Sequence, residues 1–460
     1  MLARKQYSAP SLEPLTISAV TKQHASEVLV AADLAGSIDV QSLLREYGSP
    51  LFVISEDILR KLYRNFYVNF SGPGVETRIA YSYKTNYLPA VCAIMHEEGA
   101  WAEVVSGMEY ALARSLGVPG KNIIFNGPHK TREELNLALA EGAVVTVDGF
   151  DDLARVEEVT NSLPQKSRVG IRINFKHGPI PWTKFGFNYE SGEAVRALER
   201  IAKNPKLKLD LLHNHSGTFQ IFHEIYAKAA DVLIDMALQA RQLGLAPTIA
   251  DFGGGFPSSN KLKPFYDVPG GTEFRCDMLA PFGEAILGRL RNADGLFGHN
   301  PTLVLEPGRA LVDGAAVLAS TVVAKKYIPD QGTGIVLDAG VNIVPTAAWY
   351  DHRVEARGNG EDHHHQSSQE SVNIYGPLCM QSDVLRERTQ TGAFNVGDAA
   401  LISNVGAYCH TMSMQFIRTR PATVLLGHDG PEIIQRREGW RDVFVRDRLP
   451  DRFRHDGIVF

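Results

Sequence analysis

The run RIAYSYK, residues 78–84, is rich in β-favouring residues, and the segment LPAVCAIMHEEG, residues 88–99, follows it with helical periodicity. This order of a short β-rich run and a helical segment recurs from about residue 75 to residue 310. The predicted strands, in chain order, are RIAYSYK, AEVVS, NIIFNG, AVVTVD, RVGIRINF, LDLLHNHS, TIADFGG and TLVLEPG. Eight strands with intervening helices fit a TIM-like (β/α)8 barrel better than an open doubly wound sheet.

Polar and special residues collect where these predicted strands end. In chain order they are Lys84, Ser106, Asn126, Asp148, Asn174, His215, the triplet Gly253 to Gly255, and Glu306. Strands that simply become polar as they reach solvent would account for Asn or Asp. They do not easily account for a Lys, a His, three glycines and a Glu at one end. Barrel enzymes gather their chemistry at the carboxyl ends of the strands, so we predict an active site at this face.

After residue 310 the helical periodicity fades, and short runs separated by turns predict β-structure. The runs are VLASTVVAKKY, GIVLDAG, SVNIYG, DAALIS and PATVLL. We therefore predict a barrel over residues 50–312 and a second, mostly β domain, of sandwich or barrel-like form, over residues 313–460. We expect residues 1–49 to join this second domain.

The composition is that of an ordinary globular protein, with 44% hydrophobic and 22% charged residues over 460 positions. A net charge of −5 argues against a general nucleic-acid binder. The sequence predicts no membrane span and no secretory signal, so we expect a cytoplasmic location without a membrane partner. The four cysteines are widely spaced and predict free thiols; they are Cys92, Cys276, Cys379 and Cys409. We predict no functional metal site at His363 to His365, which lack a ligand partner at suitable spacing.

The glycine triplet lies in DFGGGFP, residues 251–257. Successive glycines let backbone N–H groups approach an anion closely, which side chains would prevent. The Gly-x-Gly-x-x-Gly spacing of dinucleotide-binding proteins is absent. The triplet predicts a phosphate cradle near the seventh and eighth strands, with a purely structural turn as the alternative.

Two further motifs end the sixth and eighth strands. In EPGR, the carboxylate of Glu306 can hold a heterocyclic nitrogen protonated, and in HNHSGT the imidazole of His215 can lie against a flat ring. Either motif alone is common. Together with Lys84 and the glycine triplet, they meet the needs of pyridoxal phosphate, which takes a covalent lysine, a phosphate site, a ring-stacking group and a partner for its ring nitrogen.

From SPLFVISEDILR, residues 49–60, to GAYCHTMS, residues 406–413, the chain resembles the barrel-type (fold III) pyridoxal-phosphate decarboxylases, the family of diaminopimelate and ornithine decarboxylases. The family's Tyr-x-x-Lys-x-Asn motif is present as YSYKTN, which implies that Lys84 binds the cofactor covalently. Its His-x-Gly-Ser/Thr motif is present as HSGT, which implies that His215 stacks on the ring and that Thr218 lies near the phosphate.

The same resemblance assigns roles to further residues. It implies that Gly254 and Gly255 hold the cofactor phosphate and that Glu306 contacts the pyridine nitrogen. Arg309 would lie near the phosphate or the substrate carboxylate, and Tyr408 would close over the phosphate. Expected activity is the decarboxylation of an amino acid.

The segment GPLCMQSD, residues 376–383, matches the family's Gly-Pro-x-Cys segment, which reaches into the neighbouring subunit's site. This implies a homodimer with shared active sites, in which Cys379 protonates the substrate's Cα. A buried structural cysteine is the alternative. The resemblance also implies that Lys184 pairs with Asp383 across the subunit interface.

Two departures from the family concern the substrate. Met380 follows the cysteine where the family has an acidic residue. In DAGVNIVPTAAWY, residues 338–350, Thr346 lies where diaminopimelate-type enzymes carry an arginine, while Tyr350 is retained. With Arg309, Tyr350 and Met380 as the expected substrate contacts, a distal charge would stay unpaired. We therefore predict an amino acid or modified amino acid other than meso-diaminopimelate or ornithine.

Two alternatives remain at this point. One is an amino-acid racemase on the same barrel, although racemases typically place arginine on the ring nitrogen, where this chain has Glu306. The other is a non-catalytic homologue, although the joint retention of Lys84, His215, Glu306 and Cys379 argues against it.

Overall fold

The computed structural model describes residues 34, 36–177, 184–263, 276–293, 295–357 and 369–453. Its strands are β1 (Leu51–Ser55), β2 (Glu76–Ser82), β3 (Trp101–Val104), β4 (Ile123–Phe125), β5 (Val144–Val147), β6 (Ser167–Asn174), β7 (Phe187–Asn188), β8 (Leu207–His213), β9 (Ile249–Asp251), β10 (Thr302–Leu305), β11 (Ala316–Ile328), β12 (Gly332–Leu337), β13 (Val354–Arg357), β14 (Gln369–Tyr375), β15 (Val384–Gly392), β16 (Ala399–Ser403), β17 (Ala422–Gly427) and β18 (Gly430–Gln435). Its α-helices are Val40–Tyr47, Glu56–Asn69, Pro89–Glu97, Gly107–Ser115, Arg132–Ala140, Phe150–Asn161, Glu193–Ala202, His223–Gln242, Ala280–Arg291, Arg309–Val312 and Trp440–Phe444.

A closed parallel barrel confirms the predicted fold class. Its strands follow the order β5-β4-β3-β2-β10-β9-β8-β6, and β5 pairs with β6 to close the ring. All eight predicted runs coincide with these strands. The short strand β7 adds to the ring beside β6. Aliphatic side chains on both faces are buried, as expected for parallel strands covered by helices.

Side-chain caps begin several barrel helices directly after the strands. The hydroxyl of Ser106 accepts a hydrogen bond from the Glu109 N–H just beyond β3. Thr131 and Glu134 form a reciprocal capping box that begins the helix Arg132–Ala140 after β4. Because each cap satisfies N–H groups that a helix leaves unpaired, the turn at the strand's carboxyl end has a defined geometry. The turn after β4 contains Asn126, one of the site residues described below.

The second sheet forms the mostly β domain that the sequence predicts. Its strands follow the order β15-β14-β12-β11-β1-β17-β18, with β16 paired to β11 and β13. The five predicted runs coincide with β11, β12, β14, β16 and β17. Strand β1 pairs with β11 and β17 in this sheet, although it falls just inside the range predicted for the barrel. The division of the chain at residues 50 and 312 stays a prediction.

Cysteine placement partly matches the expectation of free thiols. Cys92 and Cys409 are buried and Cys379 is exposed, and none of these three forms a disulfide with another described residue. The histidines His363 to His365 lie outside the described residues. No helix in the described ranges combines the length and the apolar composition that a transmembrane span requires.

Candidate active site

Lys84 lies just beyond β2, in the 3-10 turn Tyr83–Thr85, rather than in the strand itself. Its side chain is 40% exposed, and its Nζ lies 2.5 Å from Oε2 of the buried Glu103. Desolvation of the amine inside the barrel mouth would lower the pKa of Lys84, but the negative charges of Glu103 and Glu306 raise it overall. The amine is therefore a protonated group at the barrel mouth, held by a carboxylate beneath it.

Glu103 at the end of β3 was not identified from the sequence, where it is one polar residue inside the run AEVVS. Its carboxylate accepts hydrogen bonds from the Ser82 hydroxyl at 2.5 Å and from Asn126 Nδ2 at 3.1 Å. Asn126 Nδ2 also donates to Glu306 Oε1 at 2.6 Å. The amide of Asn126 thus joins two buried carboxylates, Glu103 beside Lys84 and Glu306 beyond β10, the strand that pairs with β2.

Glu306 follows β10 and is buried, with Oε2 lying 3.4 Å from His213 Nε2. Burial alone would raise the pKa of Glu306, but the charge and hydrogen bond of His213, together with the charge of Lys84, lower it overall. Glu306 therefore carries a negative charge inside the barrel. Such a buried carboxylate stabilises a protonated nitrogen brought next to it.

His215 lies two residues beyond β8, against the glycine triplet. Its Nδ1 accepts a hydrogen bond of 3.0 Å from the Gly254 N–H, so the proton of the neutral ring lies on Nε2. Burial, and then the positive charges of Arg172 and Lys84, lower the pKa of His215 well below its usual value. The imidazole is therefore neutral, which suits stacking on an aromatic ring.

The glycine triplet cannot be replaced by larger residues without displacing backbone. Gly253 and Gly255 have φ angles of +61° and +92°, which favour glycine. A Cβ on Gly254 would lie 2.4 Å from the Glu306 carbonyl oxygen, and one on Gly255 would lie 2.3 Å from the Gly217 carbonyl oxygen. The triplet is thus packed tightly against backbone, and the Gly253 and Gly254 N–H groups donate to Asp251 Oδ1 and His215 Nδ1. Its role in binding a phosphate stays a prediction.

Arg309 is buried next to the triplet and keeps part of its hydrogen-bonding capacity. Its Nη2 donates to Thr218 Oγ1 at 2.9 Å, and its guanidinium carbon lies 5.1 to 5.5 Å from the rings of Phe219, Tyr350 and Tyr408. Its Nη1 is buried and has no hydrogen-bond partner among the described residues. A buried guanidinium with an unused donor is a fitting partner for an anion such as phosphate or carboxylate.

The predicted residues of the barrel face thus form two contact groups, one around Lys84 and Glu306 and one around Arg309. The residues are Lys84, His215, Thr218, Gly254, Gly255, Glu306, Arg309, Tyr350 and Tyr408. The groups meet through His215 and the triplet, and through the Tyr408 N–H, which donates to the Thr85 carbonyl at 2.8 Å. The fold therefore places a lysine, a carboxylate, a neutral imidazole and a glycine turn at one face of the barrel.

The predicted residues of the segment 376–383 lie apart in the β domain. Cys379 and Met380 are exposed, the latter by 40%. Asp383 is buried instead, and its two carboxylate oxygens accept the N–H groups of Val341 and Leu378 at 2.8 and 2.7 Å. Lys184 is exposed, with its Nζ 5.1 Å from the centre of the Phe185 ring.

A family sequence model described as "Pyridoxal-dependent decarboxylase, pyridoxal binding domain" matches residues 57–313, which is more than half of the chain and contains all eight barrel strands. The chain belongs to this decarboxylase family. It is therefore a carboxy-lyase that uses pyridoxal phosphate to decarboxylate an amino acid, and the resemblance stated from its motifs is confirmed.

Curated relatives of this decarboxylase match nearly end to end. Diaminopimelate decarboxylase of Methanocaldococcus jannaschii is 28% identical over 434 residues, covering 90% of this chain and 94% of the relative. The Bacillus subtilis diaminopimelate decarboxylase is 28% identical over 432 residues, covering 90% and 94%. A crystal structure of the M. jannaschii enzyme superposes with a TM-score of 0.80 at 27% identity, covering 90% of this chain and 95% of that one.

The residues at the barrel face fit pyridoxal phosphate. Two observations carry this fit: a buried donor of Arg309 with an open hydrogen-bonding position, and the anionic Glu306 inside the ring of strands. They correspond to the phosphate and the protonated ring nitrogen of the cofactor. The decarboxylase thus has a complementary group for each charged part of the cofactor.

Proposed function

We propose that this decarboxylase acts on an amino acid or modified amino acid other than meso-diaminopimelate or ornithine, in a homodimer with shared active sites. The observation that carries the substrate proposal is the environment of Thr346. Diaminopimelate-type enzymes have an arginine at this position for the distal carboxylate of their substrate. Here the side chain is neutral and is fully occupied within the protein.

Thr346 is 1% exposed, and its Oγ1 lies 2.9 Å from His352 Nε2 and 3.1 Å from Cys409 Sγ. Burial lowers the pKa of His352 to about 4 and raises the pKa of the Cys409 thiol to about 12. At neutral pH all three groups are therefore uncharged. This cluster offers no cation to a distal carboxylate, and leaving such a charge unpaired in a closed pocket is costly.

Met380 supports the same proposal for the second distal group of the substrate. It follows Cys379 where the family has an acid for the distal ammonium, and a thioether cannot neutralise that charge. A substrate with a less polar or covalently modified side chain would leave nothing unpaired at either position.

We assign the roles at the barrel face as follows. Lys84 holds the cofactor covalently, Glu306 keeps its ring nitrogen protonated, and His215 packs on its ring. The phosphate is held by a set of residues around the cradle, namely Thr218, Gly254, Gly255, Arg309 and Tyr408. Bound pyridoxal phosphate supplies an electron sink for the electron pair that remains when carbon dioxide leaves.

Substrate contacts and the final proton come from two other regions. The guanidinium carbon of Arg309 lies 5.5 Å from the centre of the Tyr350 ring. We propose that these two residues hold the reacting end of the substrate. Cys379 of the partner subunit is proposed to protonate Cα, because in its own chain the thiol is exposed on the segment 376–383. Asp383 anchors this segment through its two backbone hydrogen bonds; its predicted pairing with the partner subunit's Lys184 stays a prediction.

A second candidate substrate is meso-diaminopimelate itself, which the names of the relatives favour. One neighbouring structure is a diaminopimelate decarboxylase in co-complex with L-lysine, at a TM-score of 0.79. The family match favours decarboxylation over the racemase and the non-catalytic alternatives.

Carbon dioxide release from a panel of substrates tests the substrate proposal. The panel contains meso-diaminopimelate, ornithine, lysine, neutral amino acids, and acylated or carrier-linked amino acids. We expect kcat/KM for the best neutral or modified substrate to exceed the value for meso-diaminopimelate at least about 100-fold, since an unpaired polar group in the pocket costs roughly that much. The Lys84→Ala enzyme serves as the blank. A preference for meso-diaminopimelate would contradict the proposal and support the second candidate.

Mixing two inactive variants tests the shared active site. Lys84→Ala and Cys379→Ala chains, mixed and allowed to exchange, should recover up to about a quarter of wild-type activity, because half of the dimers are mixed and each mixed dimer has one intact site. Each variant incubated alone is the control. Exchange without recovered activity, with exchange shown by tagged chains, would refute the shared site.

A further inference from the structure

Three buried titratable groups lie side by side beneath the proposed nitrogen site. A ring nitrogen of His213 and one carboxylate oxygen each of Asp251 and Glu306 lie within 4.8 Å of one another. The three side chains are nearly inaccessible, at 1%, 0% and 4% exposure. They come from the ends of the adjacent strands β8, β9 and β10. Neither His213 nor Asp251 has a role in the function proposed above.

Each carboxylate of this cluster has one oxygen fixed by an N–H donor. Asp251 Oδ1 accepts the Gly253 N–H at 2.8 Å, and Glu306 Oε1 accepts the Asn126 amide at 2.6 Å. Asp251 Oδ2 is buried and has no hydrogen-bond partner within the described part of the chain. A proton on Asp251 would make this group a donor, and Glu306 is the neighbouring carboxylate, with oxygens of the two groups within 4.8 Å of each other.

Two buried carboxylates at this separation do not both ionise. Burial raises the pKa of Asp251, and the negative charge of Glu306 raises it further. Glu306 has its pKa lowered overall by His213 and Lys84, so the single proton belongs to Asp251. The charged and titratable groups that act on this pair are Lys84, Glu103, Arg172, His213 and His215.

We propose that Asp251 is a positioning residue whose neutral carboxyl group donates a hydrogen bond to Glu306 and so fixes the carboxylate that holds the cofactor's ring nitrogen. The proposal rests on the role proposed for Glu306. In this role Asp251 donates a hydrogen bond and carries no charge. Its competitor is an ion pair in which an ionised Asp251 neutralises His213.

Asparagine distinguishes these two roles because its amide is neutral, has nearly the same shape and can both accept from Gly253 and donate to Glu306. Asp251→Asn should therefore retain kcat within about 5-fold of wild type, whereas Asp251→Ala, which removes the donor, should lose about 100-fold. Equal and large losses for both variants would overturn the proposal, since an ion pair or a metal ligand tolerates neither. Unfolding midpoints of both variants show whether the Ala variant is folded.

Infrared absorption of the cofactor-free protein provides a readout that is independent of turnover. A neutral carboxyl group absorbs at a C=O stretch separate from that of carboxylates, so the wild-type minus Asp251→Asn difference should contain one such band. The spectra are taken at about pH 8, because burial raises the pKa of Glu109 to about 7 and of Asp313 to about 6, and both are then mostly ionised.

Absence of that band would overturn the proposal even if the decarboxylase activity is as proposed. A stoichiometric metal ion in the purified cofactor-free protein would overturn it as well, by assigning the three groups to coordination. If the band is present but the protein fails to bind pyridoxal phosphate, the neutral carboxyl group of Asp251 is confirmed and the role proposed for Glu306 is refuted.

Discussion

The Glu306→Gln variant should bind pyridoxal phosphate nearly as tightly as the wild type and lose about 100- to 1,000-fold in kcat, equivalent to about 3–4 kcal/mol in the activation barrier. Glutamine keeps the shape of glutamate and can still accept from the Asn126 amide, which now donates at 2.6 Å. It loses the negative charge that His213 and Lys84 maintain inside the barrel. Without that charge the ring nitrogen does not stay protonated, and the electron sink weakens.

The measurements are kcat with the best substrate and the dissociation constant of the cofactor. Glu109→Gln is the matched control, because Glu109 is another buried carboxyl group of the barrel whose oxygen accepts a backbone N–H, from Val105 at 2.7 Å, and glutamine preserves that acceptor. We expect this control to keep its turnover. Unchanged turnover in Glu306→Gln would mean that the ring nitrogen has another partner.

The largest expected loss is in the Lys84→Ala variant, whose turnover should fall by at least about 10,000-fold, as is found when a covalent catalytic group is removed. The variant should still hold the cofactor through the residues of the anion cradle, but without a covalent bond. It loses the amine that Glu103 positions at 2.5 Å. The measurements are carbon dioxide release and the cofactor retained after gel filtration, with and without borohydride.

Two companion variants separate chemistry from charge. Lys84→Arg keeps a cation beside Glu103 but cannot bind the cofactor aldehyde, so it should be as inactive as Lys84→Ala. Lys61→Ala removes an exposed lysine of the helix Glu56–Asn69 and should be fully active. Substantial turnover in Lys84→Arg would show that the lysine contributes only its charge.

Much of the fold could be predicted because buried parallel strands have a simple sequence pattern. Runs such as AVVTVD and TLVLEPG are aliphatic throughout and end in polar or glycine residues, and they correspond to β5 and β10. Two strands that were not predicted, β15 and β18, lack this pattern. Their exposed and more buried positions alternate irregularly, so neither a continuous apolar run nor a period of two marks them. The strand β1 was also not predicted, although it is buried throughout.

The site residues that carry motifs were predicted, while their supporting residues were not. Glu103 is a single acid in a hydrophobic strand, and its contact with Lys84 arises only because β2 and β3 are neighbours in the barrel. Asp251 and His213 are likewise brought beside Glu306 by the lateral order of β8, β9 and β10. Sequence spacing does not encode such lateral contacts, because each depends on the register between strands that are far apart in the chain.

Lys84 illustrates how a correct motif can give a wrong local structure. The run RIAYSYK predicted that the lysine ends a strand, but the strand ends at Ser82 and Lys84 occupies the following 3-10 turn. The Ser82 hydroxyl donates a hydrogen bond to Glu103, which also accepts one from Lys84 Nζ. The turn thus brings the amine over the buried carboxylate.

Peptide mapping after borohydride reduction identifies the lysine that binds the cofactor. Reduction of the holoenzyme makes the bond between lysine and cofactor permanent, and mass spectrometry of the digested protein then identifies the modified residue. We expect one pyridoxyl group per chain, on Lys84, in the peptide that contains YSYKTN. A pyridoxyl group on any other lysine would contradict the assignment of this face of the barrel as the active site.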